Sequence, residues 1–236
     1  MAELLANAQH ARWWRSRSAN VELGRIFSWL PVLLAASFPL ATVAALMAGR
    51  QAPAARQASA DSNPPSLTTF SLVIPRAFTD EVSFWAPDIL RWSLEYELPP
   101  ALVATVMQIE SCGNPSVRSN AGAAGLFQVM PYHFGVGENP FEPETNAFRG
   151  LSYLSRSLEL AEGDLALALA GYNGGHGQIS RPPNLWPAET QRYVRWGTEI
   201  LTDVQQGTLP SPGINSWLQA GGASLCRRAA VAQASG

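Results

Sequence analysis

The chain has 236 residues, 47% of them hydrophobic, enough for one medium-sized packed domain with additional segments. Sixteen basic residues against 18 acidic ones leave a formal net charge of −2, which excludes the strongly basic footprint of a nucleic-acid-binding protein. Arg12, Arg15, Arg17 and Arg25 precede a long apolar run and Arg227 and Arg228 stand near the C-terminus, so the stretch between, residues 70–207, is distinctly acidic; recognition of a polymer there has to rest on hydrogen bonds and stacking.

Residues 26–49 contain no charged side chain. As a helix they would span roughly 36 Å, more than the roughly 30 Å hydrocarbon core of a bilayer. Arg residues cluster on the N-terminal side, so the positive-inside rule places residues 1–25 in the cytoplasm and the remainder on the far side. The alternative is a cleaved signal peptide, whose apolar core is normally roughly 7–15 residues; the length of this run favours a transmembrane signal anchor. Residues 50–69 are rich in Ala, Pro and Ser without apolar periodicity and form a linker.

The exported part, residues 70–207, is expected to be all-α. Helical spacing runs over 88–97, ends at Pro99 and Pro100, and resumes over 101–110 up to Asn114 and Pro115. Residues 122–130 are rich in Gly and Ala and turn. Residues 145–160 carry Ala147, Leu151, Leu154 and Leu158 on one face. Asp164 can cap a helix that stops at Gly174 and Gly175, and Pro187 opens a last helix through 204. Residues 208–236 turn to Pro, Ser, Gly and Ala and are expected to be a tail.

Glu110 shares a helix face with Val103, Val106 and Met107. A carboxyl on an apolar stripe resists ionisation, which suits it to act as a general acid near neutral pH. The plainer alternative is a paired structural Glu at a helix end. The context decides between them. Ser111 follows Glu110; Ser119 and the run Gly122-Ala123-Ala124-Gly125-Leu126-Phe127-Gln128 come next; then Gly171-Tyr172-Asn173, and finally Glu189-Thr190 with Tyr193-Val194.

In order and spacing these four motifs resemble the catalytic (SLT) domain of lytic transglycosylases in the goose-type lysozyme-like superfamily, over about residues 89–204. The resemblance implies a lysozyme-like helical fold, bacterial peptidoglycan as substrate, and cleavage of the β-1,4 bond between N-acetylmuramic acid and N-acetylglucosamine. By position it implies Glu110 as the sole acid/base, first protonating the glycosidic oxygen and then taking the proton of the muramic C6 hydroxyl as that hydroxyl attacks C1, giving a 1,6-anhydro end. It also implies substrate contacts from Ser119, Gln128, Tyr172, Asn173 and Tyr193. No Asp or Glu lies between Glu110 and Glu138, consistent with a mechanism that needs no second carboxylate. Phe127, Gly171 and His176 depart from the Met, Ala and Pro usual in the family. No cofactor is expected; His10, His133 and His176 lack metal-ligand spacing, so no metal is expected either. Cys112 and Cys226 are free to form a disulfide or to stay apart, and the sequence leaves both open. With the anchor, the reading is a single-pass bacterial membrane protein whose domain faces the wall. The competing functions are a hydrolysing muramidase and a non-catalytic peptidoglycan-binding module.

Overall fold

The computed structural model describes residues 76–235. The expected cytoplasmic segment, signal anchor and linker lie outside the described residues. Among the described residues no helix is long and apolar enough to cross a membrane.

The described chain is all-helical. Its helices are α1 (Asp80–Ser83), α2 (Ala86–Glu95), α3 (Pro100–Glu110), α4 (Pro143–Leu160), α5 (Leu165–Gly174), α6 (Ala188–Gln206), α7 (Pro212–Trp217) and α8 (Ala223–Ala234). Short 3-10 turns at Pro131–His133, His176–Gln178 and Pro183–Leu185 shape the connections. The extended pairing recorded among the described residues is two isolated bridges, Arg118 with Ala124 and Ala124 with Val129.

Helix α3 is the axis of the domain. Every residue from Leu102 to Gln108 is buried, so it is a helix packed all round rather than an amphipathic one. Pro100 opens it at a position where a missing N–H costs nothing. Helices α4, α5 and α6 pack in succession, and α6 returns against α3. The Glu142 carboxylate caps α4 by accepting from the amides of Glu144 and Thr145, and Asp164 caps α5 by accepting from Leu167 N at 2.9 Å, as expected of Asp164. An aromatic file joins α2 to the turn behind α3: Trp85 stacks on Trp92 at 6.2 Å, and Trp92 meets Phe127 edge-on at 5.8 Å.

The segment after 208, expected to be a tail, is instead structured. Ile214, Trp217, Cys226 and Ala229 from α7 and α8 are part of the hydrophobic core. Cys226 is bonded to Cys112 across 114 residues, with Cα atoms 5.0 Å apart. The Gln233 amide donates to the carbonyls of Glu81 (2.9 Å) and Gly113 (3.1 Å). Composition hid this, because α8 is built largely from small side chains whose pattern carries little apolar periodicity. Tertiary packing and a covalent link stabilise what local propensity leaves marginal.

Candidate active site

Glu110 is the last residue of α3. Val103, Val106 and Met107 on its face are fully buried, while Glu110 itself is half-buried. Protein surrounds its carboxyl closely enough that loss of hydration dominates its ionisation. Desolvation raises its pKa to about 8; the Tyr193 hydroxyl works against this by favouring the ionised form, and the negative charge of Glu189 adds to the rise.

Two phenols come to this carboxyl from different helices. Tyr172, on α5, donates its hydroxyl to the Phe127 carbonyl at 2.7 Å. Tyr193, on α6, is buried. Its hydroxyl lies beside the Glu110 carboxyl without forming an aligned hydrogen bond, and can rotate its O–H toward a carboxylate that forms there. Both phenols are held well above their usual pKa, first by burial and then by the charge of Glu110. They remain neutral donors.

The turn after α3 is braced from three sides. The buried Ser111 hydroxyl donates to the Leu126 carbonyl at 2.7 Å, tying the end of α3 to the turn. Asn146, buried in α4, accepts from Phe127 N (2.8 Å) and donates to the carbonyls of Ala124 and Pro140 (both 2.8 Å). Gly125, at φ +75°, lies so close to Asn146 that a Cβ would sit 2.4 Å from the amide nitrogen, so glycine is required there.

The remaining expected residues have narrower surroundings. Gln128 commits its amide nitrogen to the carbonyls of Val117 (3.2 Å) and Gly125 (3.0 Å), within the turn. The Ser119 hydroxyl accepts from Ala123 N at 3.0 Å and closes the same loop. Asn173 follows Tyr172 on α5, and its Oδ1 accepts from the Thr190 hydroxyl at 2.8 Å, linking α5 to the start of α6. Glu110, Tyr172 and Tyr193 are therefore drawn together electrostatically. Ser119 and Gln128 shape the turn, and Asn173 ties the helices beside it.

Sequence reasoning passed over Ser111 and Asn146 as supports, and Glu189 as a charge felt by Glu110. Asn146 had a signal: it is a polar residue beside Ala147 on a helix whose apolar side points inward. Two of the three family departures have a steric account. Phe127 is fully buried against Trp92. At Gly171 a Cβ would come within 2.7 Å of the Ile179 side chain, so the missing methyl lets the 175–182 loop pack closely onto α5.

Among the described residues Glu81, Cys112 and Cys226 bring potential metal-donor atoms together, but sulfurs joined in a disulfide offer no thiolate. A shallow depression bounded by Thr198, Glu199, Asp203 and Pro212 contains none of the residues around Glu110. Its Asp203 carboxylate accepts from Ser211 Oγ (2.6 Å) and Gly213 N (2.7 Å) and secures the start of α7.

An all-helical domain with one desolvated carboxyl beside a buried phenol, Tyr193, and a half-buried one, Tyr172, has the groups that general acid chemistry uses. Residues 88–191 match the family model of the Transglycosylase SLT domain. The chain's relatives include the "Transglycosylase" of Enterobacteria phage PRD1, 39% identical over 112 residues, covering 46% of this chain and 40% of the phage protein. They also include membrane-bound lytic murein transglycosylase C of Photorhabdus laumondii, 29% identical over 129 residues, covering 46% of this chain and 36% of that protein. The soluble lytic murein transglycosylase of Escherichia coli K12 is 30% identical over 101 residues, covering 38% of this chain and 16% of that protein. The chain thus spans well under half the length of the relatives it matches. A solved structure of an inactive mutant of the lytic transglycosylase Slt from Pseudomonas aeruginosa aligns with TM-score 0.42 and 22% identity, covering 53% of this chain and 24% of that one.

Proposed function

We propose that the protein is a lysozyme-like peptidoglycan lytic transglycosylase that cleaves the β-1,4 bond between N-acetylmuramic acid and N-acetylglucosamine and leaves 1,6-anhydro ends. The observation that carries this reading is the placement of Glu110 at the end of a buried helix, beside Tyr193, where burial raises its pKa to about 8 and favours the protonated acid. Protonated Glu110 delivers its proton to the glycosidic oxygen as the bond to C1 breaks. The resulting carboxylate, beside the neutral Tyr193 hydroxyl, then accepts the proton of the muramic C6 hydroxyl while that oxygen bonds to C1. Glu110 ends the cycle protonated. The nucleophile is already part of the reacting sugar, so its attack gains from proximity. Gln128, Ser119, Asn173 and Tyr172 line and hold the substrate site in this reading, and residues 26–49 anchor the chain in the bacterial membrane with the domain on the wall side.

One observation favours a second reading. Glu189, exposed in the first turn of α6, is close enough for its charge to act on Glu110. A second carboxylate opposite the acid is what an inverting hydrolase uses to activate water. Digesting purified sacculi in water labelled with heavy oxygen separates the two. A transglycosylase yields anhydro-muramic ends free of label; label in reducing muramic ends makes the protein a muramidase. Unaltered sacculi with tight binding would make it a binding module.

A further inference from the structure

A file of rings leads outward from the side of Glu110. Tyr172, whose phenol feels the charge of that carboxyl, lies 5.9 Å from the ring of Tyr153 on α4. Tyr153 is stacked on His176 at 4.1 Å with an interplanar angle of 13°, and lies 5.0 Å from the tilted ring of His133. His133 in turn lies 4.5 Å from Tyr132, which is 76% exposed. Tyr132 thus presents an open ring face at the outer end of a continuous file of rings.

His176 belongs to the loop that the absent Gly171 side chain admits onto α5 through Ile179. The loop is therefore set at the height where its imidazole covers one face of Tyr153, with its Nε2 3.4 Å from the Tyr153 carbonyl. His133 is pushed below the usual imidazole pKa first by partial burial and then by His176 and Arg149; His176 is pushed down by partial burial, opposed by its contact with the Tyr153 carbonyl, and further lowered by Arg156. The two arginines are themselves paired, Arg149 with Glu138 and Arg156 with Glu159. The file is thus neutral at neutral pH. It is suited to stack on an uncharged ring and to exchange hydrogen bonds with hydroxyl or acetamido groups, and poorly suited to gripping a carboxylate.

We propose that Tyr132, His133, Tyr153 and His176 form a saccharide-stacking wall, with Tyr132 as its outer platform, that holds a sugar of the glycan strand remote from the bond being cleaved. This rests on the transglycosylase reading. Tyr132 stands three ring-to-ring steps outward from Tyr172, so the wall is expected to favour strands longer than a tetrasaccharide.

The test uses the full chain carrying Glu110→Gln, which permits binding without turnover, and two probes: glycan strands stripped of stem peptides, and a single tetrasaccharide of the same repeat. Adding Tyr132→Ala is expected to weaken binding of long strands about three- to tenfold, the range of one ring-stacking contact, and to leave tetrasaccharide binding within about twofold. Tyr132→Trp should restore the long-strand affinity, and His176→Phe, which keeps a ring over Tyr153, should lose less than His176→Ala. Equal losses on both probes, or no loss on long strands, would overturn the wall while leaving the transglycosylase reading intact. Failure of the Glu110→Gln chain to bind either probe would overturn both.

Discussion

Asn146 and Phe127 are joined by a buried hydrogen bond in which the Asn146 Oδ1 accepts from the Phe127 amide at 2.8 Å. Through it α4 holds the turn that follows the Glu110 helix, and the same Asn146 amide nitrogen also satisfies the carbonyls of Ala124 and Pro140. Asn146→Leu would leave the Phe127 amide and the Pro140 carbonyl without partners, each costing about 1–3 kcal/mol when buried, and would strip one of two bonds from the Ala124 carbonyl. We expect a loss of about 3 kcal/mol or more, measured as a fall in the urea midpoint. Asn146→Asp, which keeps the acceptor but loses the donors, should lose stability too. An unchanged midpoint for both variants would show that the turn is held by other means.

Under the proposed mechanism the pH dependence of turnover follows from Glu110. The first step needs the protonated acid, so kcat should be level through neutral pH and fall with a midpoint near pH 8. Two substitutions should move that midpoint in opposite directions. Glu189→Gln removes a negative charge that raises the Glu110 pKa, so the midpoint moves down. Tyr193→Phe removes a hydroxyl that favours the ionised form, so it moves up. Shifts of the same sign in both variants would contradict this arrangement.

The same carboxyl imposes a pH-dependent cost on folding. Its folded pKa, about 8, lies above its unfolded value, 4.5. Between those two values the folded chain keeps a proton that the unfolded chain has lost, so the stability of the domain falls as pH rises through this window and levels off above it. Glu110→Gln removes the effect. The variant should match the parent near the lower limit and exceed it by about 1–2 kcal/mol near the upper one, allowing for the carboxyl's partial contact with solvent. Melting curves of both proteins across the window provide the check; a constant difference would show that Glu110 ionises normally.

Cys112 stands two residues after Glu110, and its bond to Cys226 closes a loop of 114 residues. A closure of that length restricts the unfolded chain and is worth about 3–5 kcal/mol. The double substitution Cys112→Ser with Cys226→Ser should lower stability by that order, and the parent should lose a similar amount when reduced. Reductant should leave the double variant unchanged. If the parent's denaturation midpoint is insensitive to reductant, the C-terminal helices hold by packing alone.

Local sequence determined much of this molecule. The spacing of apolar residues and the positions of Pro99, Pro100, Asp164, Gly174 and Pro187 marked α2 through α6 closely, because caps and breakers act over a few residues. The face shared by Val103, Val106, Met107 and Glu110 already implied a desolvated carboxyl, since helical periodicity alone puts those side chains together. Tertiary structure decided the rest. Tyr193 and Glu189 reach Glu110 only because α6 folds back on α3, more than 70 residues along the chain. Asn146 secures Phe127 only because α4 crosses behind the turn. The C-terminal helices exist where composition suggested a tail, because a disulfide and the burial of Ile214, Trp217 and Ala229 stabilise what weak local signals do not. Contacts between distant segments depend on how whole helices pack, and no short window of residues encodes that packing.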